Sequence, residues 1–234
     1  MDTTLPTISL ASLLIAFAPS LVLLVVMVRW SLRAREALYA NLRMLAQLLG
    51  VGYVLTYVFE TNQPLVVVGV VVVMIGTAAW IALRPLHRRS RRSYLEALAV
   101  LAGNGLVMLA LVTQLVLDLP RWFEPRFVVP LAGMIFANAM NTLSLAAERF
   151  EAERSRQLDY ESARRVALDA ALIPQINALF AVGLVSLPGM MTGQILSGIE
   201  PLVAVRYQIM VMCMTFGSAG LSAACYLLLQ RGRE

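Results

Sequence analysis

The sequence predicts an all-α fold, a polytopic transmembrane helical bundle of about seven spans, and three observations carry that expectation. Hydrophobic residues make up 59% of the chain and charged residues 14%, at a mean hydropathy of +0.76, too few charges to clothe the surface of a soluble domain of 234 residues. Apolar runs of 18 or more residues recur along the chain, and each can cross a hydrocarbon core about 30 Å thick. Arginines cluster between alternate runs, as the positive-inside rule requires of cytoplasmic connections.

The spans fall near 8–30, 38–59, 64–84, 94–117, 127–147, 171–196 and 207–229. Residues 8–28 read as a retained span, because the chain starts with Asp2 and lacks the basic segment of a signal peptide. The second span carries Arg43 and Gln47 near one end and so enters obliquely or lies partly at the interface. Connections after spans one, three and five, with the tail, hold 15 of the 19 arginines: Arg29, Arg33 and Arg35; Arg84, Arg88, Arg89, Arg91 and Arg92; Arg149, Arg154, Arg156, Arg164 and Arg165; Arg231 and Arg233. That pattern places the amino terminus outside and the carboxyl terminus in the cytoplasm. Trp30, Trp80 and Trp122 lie near span ends, where an aromatic belt places them.

Composition also excludes functions. The chain contains no lysine, and a P-loop needs its lysine to reach the β- and γ-phosphates. Any ATP dependence must therefore come from a partner; this chain is expected to bind no cofactor, with ATP and Mg²⁺ on the other subunit. The sequence pI near 9.7 reflects arginines beside membrane segments, so lipid is the expected partner and nucleic acid is not. Cys213 and Cys225 lie in the last apolar run as small fillers. His87 stands among arginines as a solvated loop residue. No Ser/His/Asp set, paired carboxylates or H-E-x-x-H motif gives enzyme chemistry a seat, and the chain is read as a non-enzyme. The 12 methionines include Met210, Met212 and Met214; soft thioethers suit ions such as Cu(I), but their spacing assigns no metal site.

Three segments are candidates for function. Residues 148–169 are the longest polar stretch, with opposite charges four apart at Arg149/Glu153, Glu161/Arg165 and Arg165/Asp169. Such pairs support a solvated helix by about 0.2–0.5 kcal/mol each. A cytoplasmic helix extending span five and turning back into span six is expected, either as a plain connector or as a docking surface formed by Arg149, Glu153, Arg156, Glu161 and Arg165. In span five, Asn138 and Asn141 are three apart and share a helical face; they glue helices together or line a polar pathway. Span six carries Pro174, Gln175 and Asn177 near its start. Further along, Pro188-Gly189 breaks the helix at membrane depth, where non-helical backbone survives only inside protein or beside a water-filled cavity, and Met190, Met191 and Gln194 follow as candidate pathway residues. A simple kink and a transport segment both fit.

Leu172–Gly193, LIPQINALFAVGLVSLPGMMTG, with Pro201–Met210, PLVAVRYQIM, closely resembles the FetB-type permeases of bacterial iron-export ABC transporters. Pro130–Met140 and Gly50–Tyr57 match more loosely, and plant aluminium-tolerance half-transporters look like the same group. The resemblance covers nearly the whole chain and implies a single permease domain over residues 1–234. It also implies an inner-membrane permease homodimer, a separate ABC ATP-binding subunit and export of a metal ion, iron first. One departure is visible. Ala147–Ala171 is shorter than the connector of the family and lacks its Leu-Gly-Ala turn. An ATP-independent secondary or passive transporter, or a scaffold without cargo, are the alternative readings.

Overall fold

The computed structural model describes residues 9–61, 63–86 and 89–232, so the expectations for Asp2, His87, Arg88 and Arg233 lie outside the described residues. Among the described residues eight α-helices follow one another: α1 Leu10–Arg29, α2 Ala34–Glu60, α3 Pro64–Ala82, α4 Arg91–Ala110, α5 Pro125–Ser155, α6 Tyr160–Ala181, α7 Gly189–Leu196 and α8 Pro201–Leu229. A π-helical turn, Leu111–Val116, continues α4. No strand occurs among the described residues, apart from an isolated bridge between Val182 and Ser186.

Local chemistry explains the helix starts. Proline opens α3, α5 and α8, where its missing N–H costs nothing and its fixed φ suits the first turn. Ser9, Ser90 and Asp159 cap α1, α4 and α6 by accepting from the backbone N–H three residues on. Among the described residues six helices are long and apolar enough to cross a membrane: α1, α2, α3, α4 with its π turn, α5 and α8. The expected span over 171–196 is divided instead. Ala171–Ala181 is about 16 Å long and α7 about 12 Å, so neither piece crosses alone. The break is also longer than the expected point at Pro188-Gly189. It starts at Val182, whose φ of −63° and ψ of 129° leave the helix. Gly183 then takes φ +83°, a left-handed conformation that favours glycine.

Two compact units divide the chain after Glu60. In the first, α1 and α2 form a hairpin whose turn places Ser31 at φ 55°. In the second, α5 is central, packing on α3, α4, α6 and α8. Small residues alternate with large ones at these contacts. Ala163, Ala167 and Ala171 recur every four residues along α6 and are fully buried. With Ala146 of α5 and Ala223 and Leu227 of α8 the last two form one cluster, flanked by Phe150 and Leu168. Such residues let helix axes approach closely where apolar burial supplies no drive. Glycine is required outright at position 105 of α4, where a Cβ would stand 2.2 Å from Cε1 of the buried Phe136 ring.

Residues 148–169 are helical but bent. α5 extends to Ser155, residues 156–159 turn with Gln157 at φ 67°, and α6 begins at Tyr160. The chain thus returns at once as the second arm of a hairpin.

Gly105→Ala should destabilise the protein by about 1–3 kcal/mol through overpacking. Thermal unfolding in detergent should show a lower midpoint, partly restored by adding Phe136→Leu. An unchanged midpoint in the single variant would mean that the ring does not sit on the glycine.

Candidate functional site

Where α5, α6, α8 and the start of α7 meet, a cavity of about 240 Å³ opens. Its polar wall is built from helix positions one turn apart. Asn138 on α5 donates from Nδ2 to the Met134 carbonyl at 2.9 Å, which fixes its amide so that Oδ1 faces α6. Gln175 on α6 reaches across, donating from Nε2 to Thr142 Oγ1 at 3.1 Å and, at a long 3.4 Å, to Asn138 Oδ1. Thr142 is fully buried, so this link gives its hydroxyl a partner that the bundle otherwise denies it. Gln208 and Thr215 of α8 form the opposite side. Thr215 spends its proton on the Val211 carbonyl at 2.9 Å. Gln208 is 6% exposed, and its Oε1 is buried with no hydrogen-bond partner. Pro188, Gly189 and Met190 complete the wall. No residue lining the cavity is charged. Among the described residues no three His, Cys, Asp or Glu side chains gather to hold a metal ion.

Of the residues singled out from sequence, the fold brings Asn138, Gln175, Pro188, Gly189 and Met190 to this cavity. Asn141 and Asn177 are exposed on the flanks of α5 and α6. Met191 and Gln194 are half-buried on α7 outside the lining, with Gln194 Oε1 buried and unpartnered. Thr142, Gln208 and Thr215 escaped notice. The partner of Asn138 on its own helix is Thr142, one full turn away, and Asn141 has rotated out of line. An amide inside an apolar span was the available signal for Gln208, since polar side chains at membrane depth are retained at a cost.

The loop before α7 closes on itself. The Ala181 carbonyl accepts from the amides of Val185 at 2.8 Å and Ser186 at 3.1 Å, and Gly183 N–H donates to the Ser186 carbonyl at 2.9 Å. The Ala181 carbonyl and the amides of Gly183, Val185 and Ser186 thus find partners locally. The loop carries Leu184, Val185 and Leu187, all strongly exposed.

At the other end of this unit the arginine-rich connections converge. Tyr160 of α6 donates to the Leu227 carbonyl of α8 at 3.0 Å, and Gln230 Nε2 donates to Glu96 of α4 at 3.1 Å. A second cavity of about 500 Å³ lies here, bordered by Ser93, Glu151, Arg154, Tyr160, Gln230 and Arg231. The five connector residues divide by role. Glu153 is 4% exposed and accepts from Arg149 at 2.7 Å and Arg156 at 3.2 Å. That carboxylate ties the last turns of α5 to its C-cap and presents nothing to a partner. Arg156, Glu161 and Arg165 are exposed.

With this geometry in place, comparison with known proteins adds a family. The description "Uncharacterised protein family (UPF0014)" matches residues 10–233. The chain belongs to the UPF0014 family. The UPF0014 membrane protein slr1647 of Synechocystis is 35% identical over 192 residues, covering 76% of this chain and 74% of that protein. The Escherichia coli protein named "Probable iron export permease protein FetB" is 33% identical over 210 residues, 82% of this chain and 80% of its own. The Arabidopsis thaliana protein ALUMINUM SENSITIVE 3 is 31% identical over 203 residues, 80% and 73% of the two chains. No solved structure matches the chain. Family membership bears out the resemblance read from Leu172–Gly193 and Pro201–Met210, and the chain is a multi-pass membrane protein of a permease-containing family.

The turn at the base of the hairpin has a pH dependence. Asp159 caps α6, and hydrogen bonds from Ser162 hold its carboxyl below the ordinary value of 3.8. A depressed carboxyl contributes stability that is present above its unfolded pKa and lost as pH falls through the lowered folded one. Amide exchange in the first turn of α6 should therefore quicken as pH drops below 3.8, beyond the intrinsic change. In Asp159→Asn, whose neutral amide also caps, that extra increase should vanish. An identical pH profile in the variant would assign the effect to another group.

Proposed function

We propose that this chain is the permease subunit of an ABC-type exporter that moves metal ions, iron first, out of the cytoplasm. The ATP is hydrolysed by a separate subunit. The observation that carries the reading is the divided span: Ala171–Ala181 and α7 flank a seven-residue break, and the start of α7 walls a polar cavity inside a bundle of apolar helices. Transporters place cargo at such discontinuous helices, whose free backbone ends supply fixed dipoles. A scaffold has no need of this arrangement, because burying amides such as Gln208 without partners is destabilising.

Two further observations support it. The chain contains no lysine and so no P-loop of its own, which supports ATP hydrolysis on another chain. Arginines at the shared end of α4, α5, α6 and α8 favour the cytoplasmic side for that end, with the amino terminus outside; the inner membrane and a homodimer belong to the reading through the family resemblance alone. The hairpin of α5 and α6 then projects toward the cytoplasm, offering the exposed Glu161 and Arg165 to the ATP-binding subunit, with Arg156 beside them on Glu153. Iron as cargo comes from the printed name of the Escherichia coli relative, and the lining residues do not select it.

The test is capture of the protein from its native membrane in mild detergent. A stoichiometric P-loop ATPase should accompany it and be lost when the exposed Glu161 and Arg165 are replaced by alanine, with thermal unfolding unchanged. Absence of an ATPase, under conditions that preserve a known ABC complex, would replace this reading by an ATP-independent transporter.

A further inference from the structure

The cavity is furnished for a cargo other than a bare cation. Its first furnishing is the amino-terminal end of α7. Pro188 caps that helix without any side-chain hydrogen bond, and the amides of Gly189 and Met190 lie in the first turn, where no carbonyl of the same helix can reach them. Both residues line the cavity. An uncapped helix start carries a partial positive charge and N–H donors directed outward, and it attracts oxyanions.

The second furnishing is independent. Gln208 projects from α8 with its side chain almost wholly buried in the same wall, and its amide oxygen is buried and unpartnered. A buried acceptor without a donor is costly, so a hydroxyl from a ligand satisfies it. The remaining polar groups are neutral, and no carboxylate, imidazole or thiolate is present to compensate a stripped iron ion, whose hard charge needs anionic oxygen ligands. Size agrees. About 240 Å³ corresponds to roughly eight waters at ~30 Å³ each, too roomy for one ion and sufficient for a small organic acid.

We propose that this cavity takes a small hydroxycarboxylate, alone or as its metal chelate, with a carboxylate at the Gly189 and Met190 amides and a hydroxyl on Gln208. The inference rests on reading the cavity as the transport site, and under it a metal leaves the cell already wrapped in anionic oxygen. The ligand brings the negative charge that the lining lacks.

The test uses the full chain in lipid nanodiscs, with citrate, ferric citrate and ferrous ion as separate probes in titration calorimetry. Gly189→Pro removes one amide donor at a position where proline is welcome, since Pro188 already has the extended ψ of 142° that a following proline requires. Gly189→Ala keeps the donor, and its Cβ meets open space. Saturable binding of citrate or ferric citrate is expected, weakened roughly tenfold or more in Gly189→Pro and in Gln208→Leu and retained in Gly189→Ala. Absence of saturable binding by either form, affinity unchanged in both donor-site variants, or tighter binding of ferrous ion alone would overturn the proposal. Binding needs no ATPase, so failure to capture an ATP-binding subunit leaves this result standing, and failure here leaves the coupling result standing.

Discussion

The close approach of α5, α6 and α8 is the constraint on which the larger unit depends. In a bilayer, apolar side chains gain little by leaving lipid for one another, so association rests on van der Waals packing and a few hydrogen bonds. Ala163, Ala167 and Ala171 supply a flat, fully buried stripe on α6, and Ala146 and Ala223 supply its counterparts. Gly105 does the same for α4, where the Phe136 ring occupies the space of its missing side chain. These contacts are short-range and shape-dependent. They leave few positions at which a larger residue fits.

Close packing also explains why the cavity is polar and placed where it is. Along α6 the alanine series at 163, 167 and 171 is followed at the next position by Gln175, whose amide reaches across to Thr142 and Asn138 of α5. In this low-dielectric setting each hydrogen bond is strengthened and each missing one is costly. The Thr142–Gln175–Asn138 chain is satisfied; Gln208 is not. The break in the helix at Val182 falls beside the cavity, so unwound backbone and unpaired amides share one compartment.

Charge is organised at the opposite end by the same packing. The α5–α6 hairpin is short, and its turn is held by a buried carboxylate between two arginines and by the Asp159 cap. Removing a partner from a buried ion pair is far more damaging than removing an exposed charge. Glu153 and its partners Arg149 and Arg156 therefore belong to the architecture, while Glu161 and Arg165 of the connector remain exposed.

The sequence by itself determined the membrane class, six of the spans, the arginine alternation, the absence of a P-loop and the family. These follow from composition, run length and local motifs, which act through solvent transfer and need no knowledge of neighbours. It also located the broken segment, because proline and glycine impose backbone rules one residue at a time. Only the tertiary structure decided which amides face one another. Asn138 and Asn141 look equivalent at three-residue spacing, yet the rotation of α5 turns Asn141 outward and brings Thr142 to Gln175. It decided likewise that Glu153 is structural and that Gln208 closes the cavity. Helix rotation is set by the fit of alanine stripes on three helices distant in sequence, and no local pattern encodes that fit.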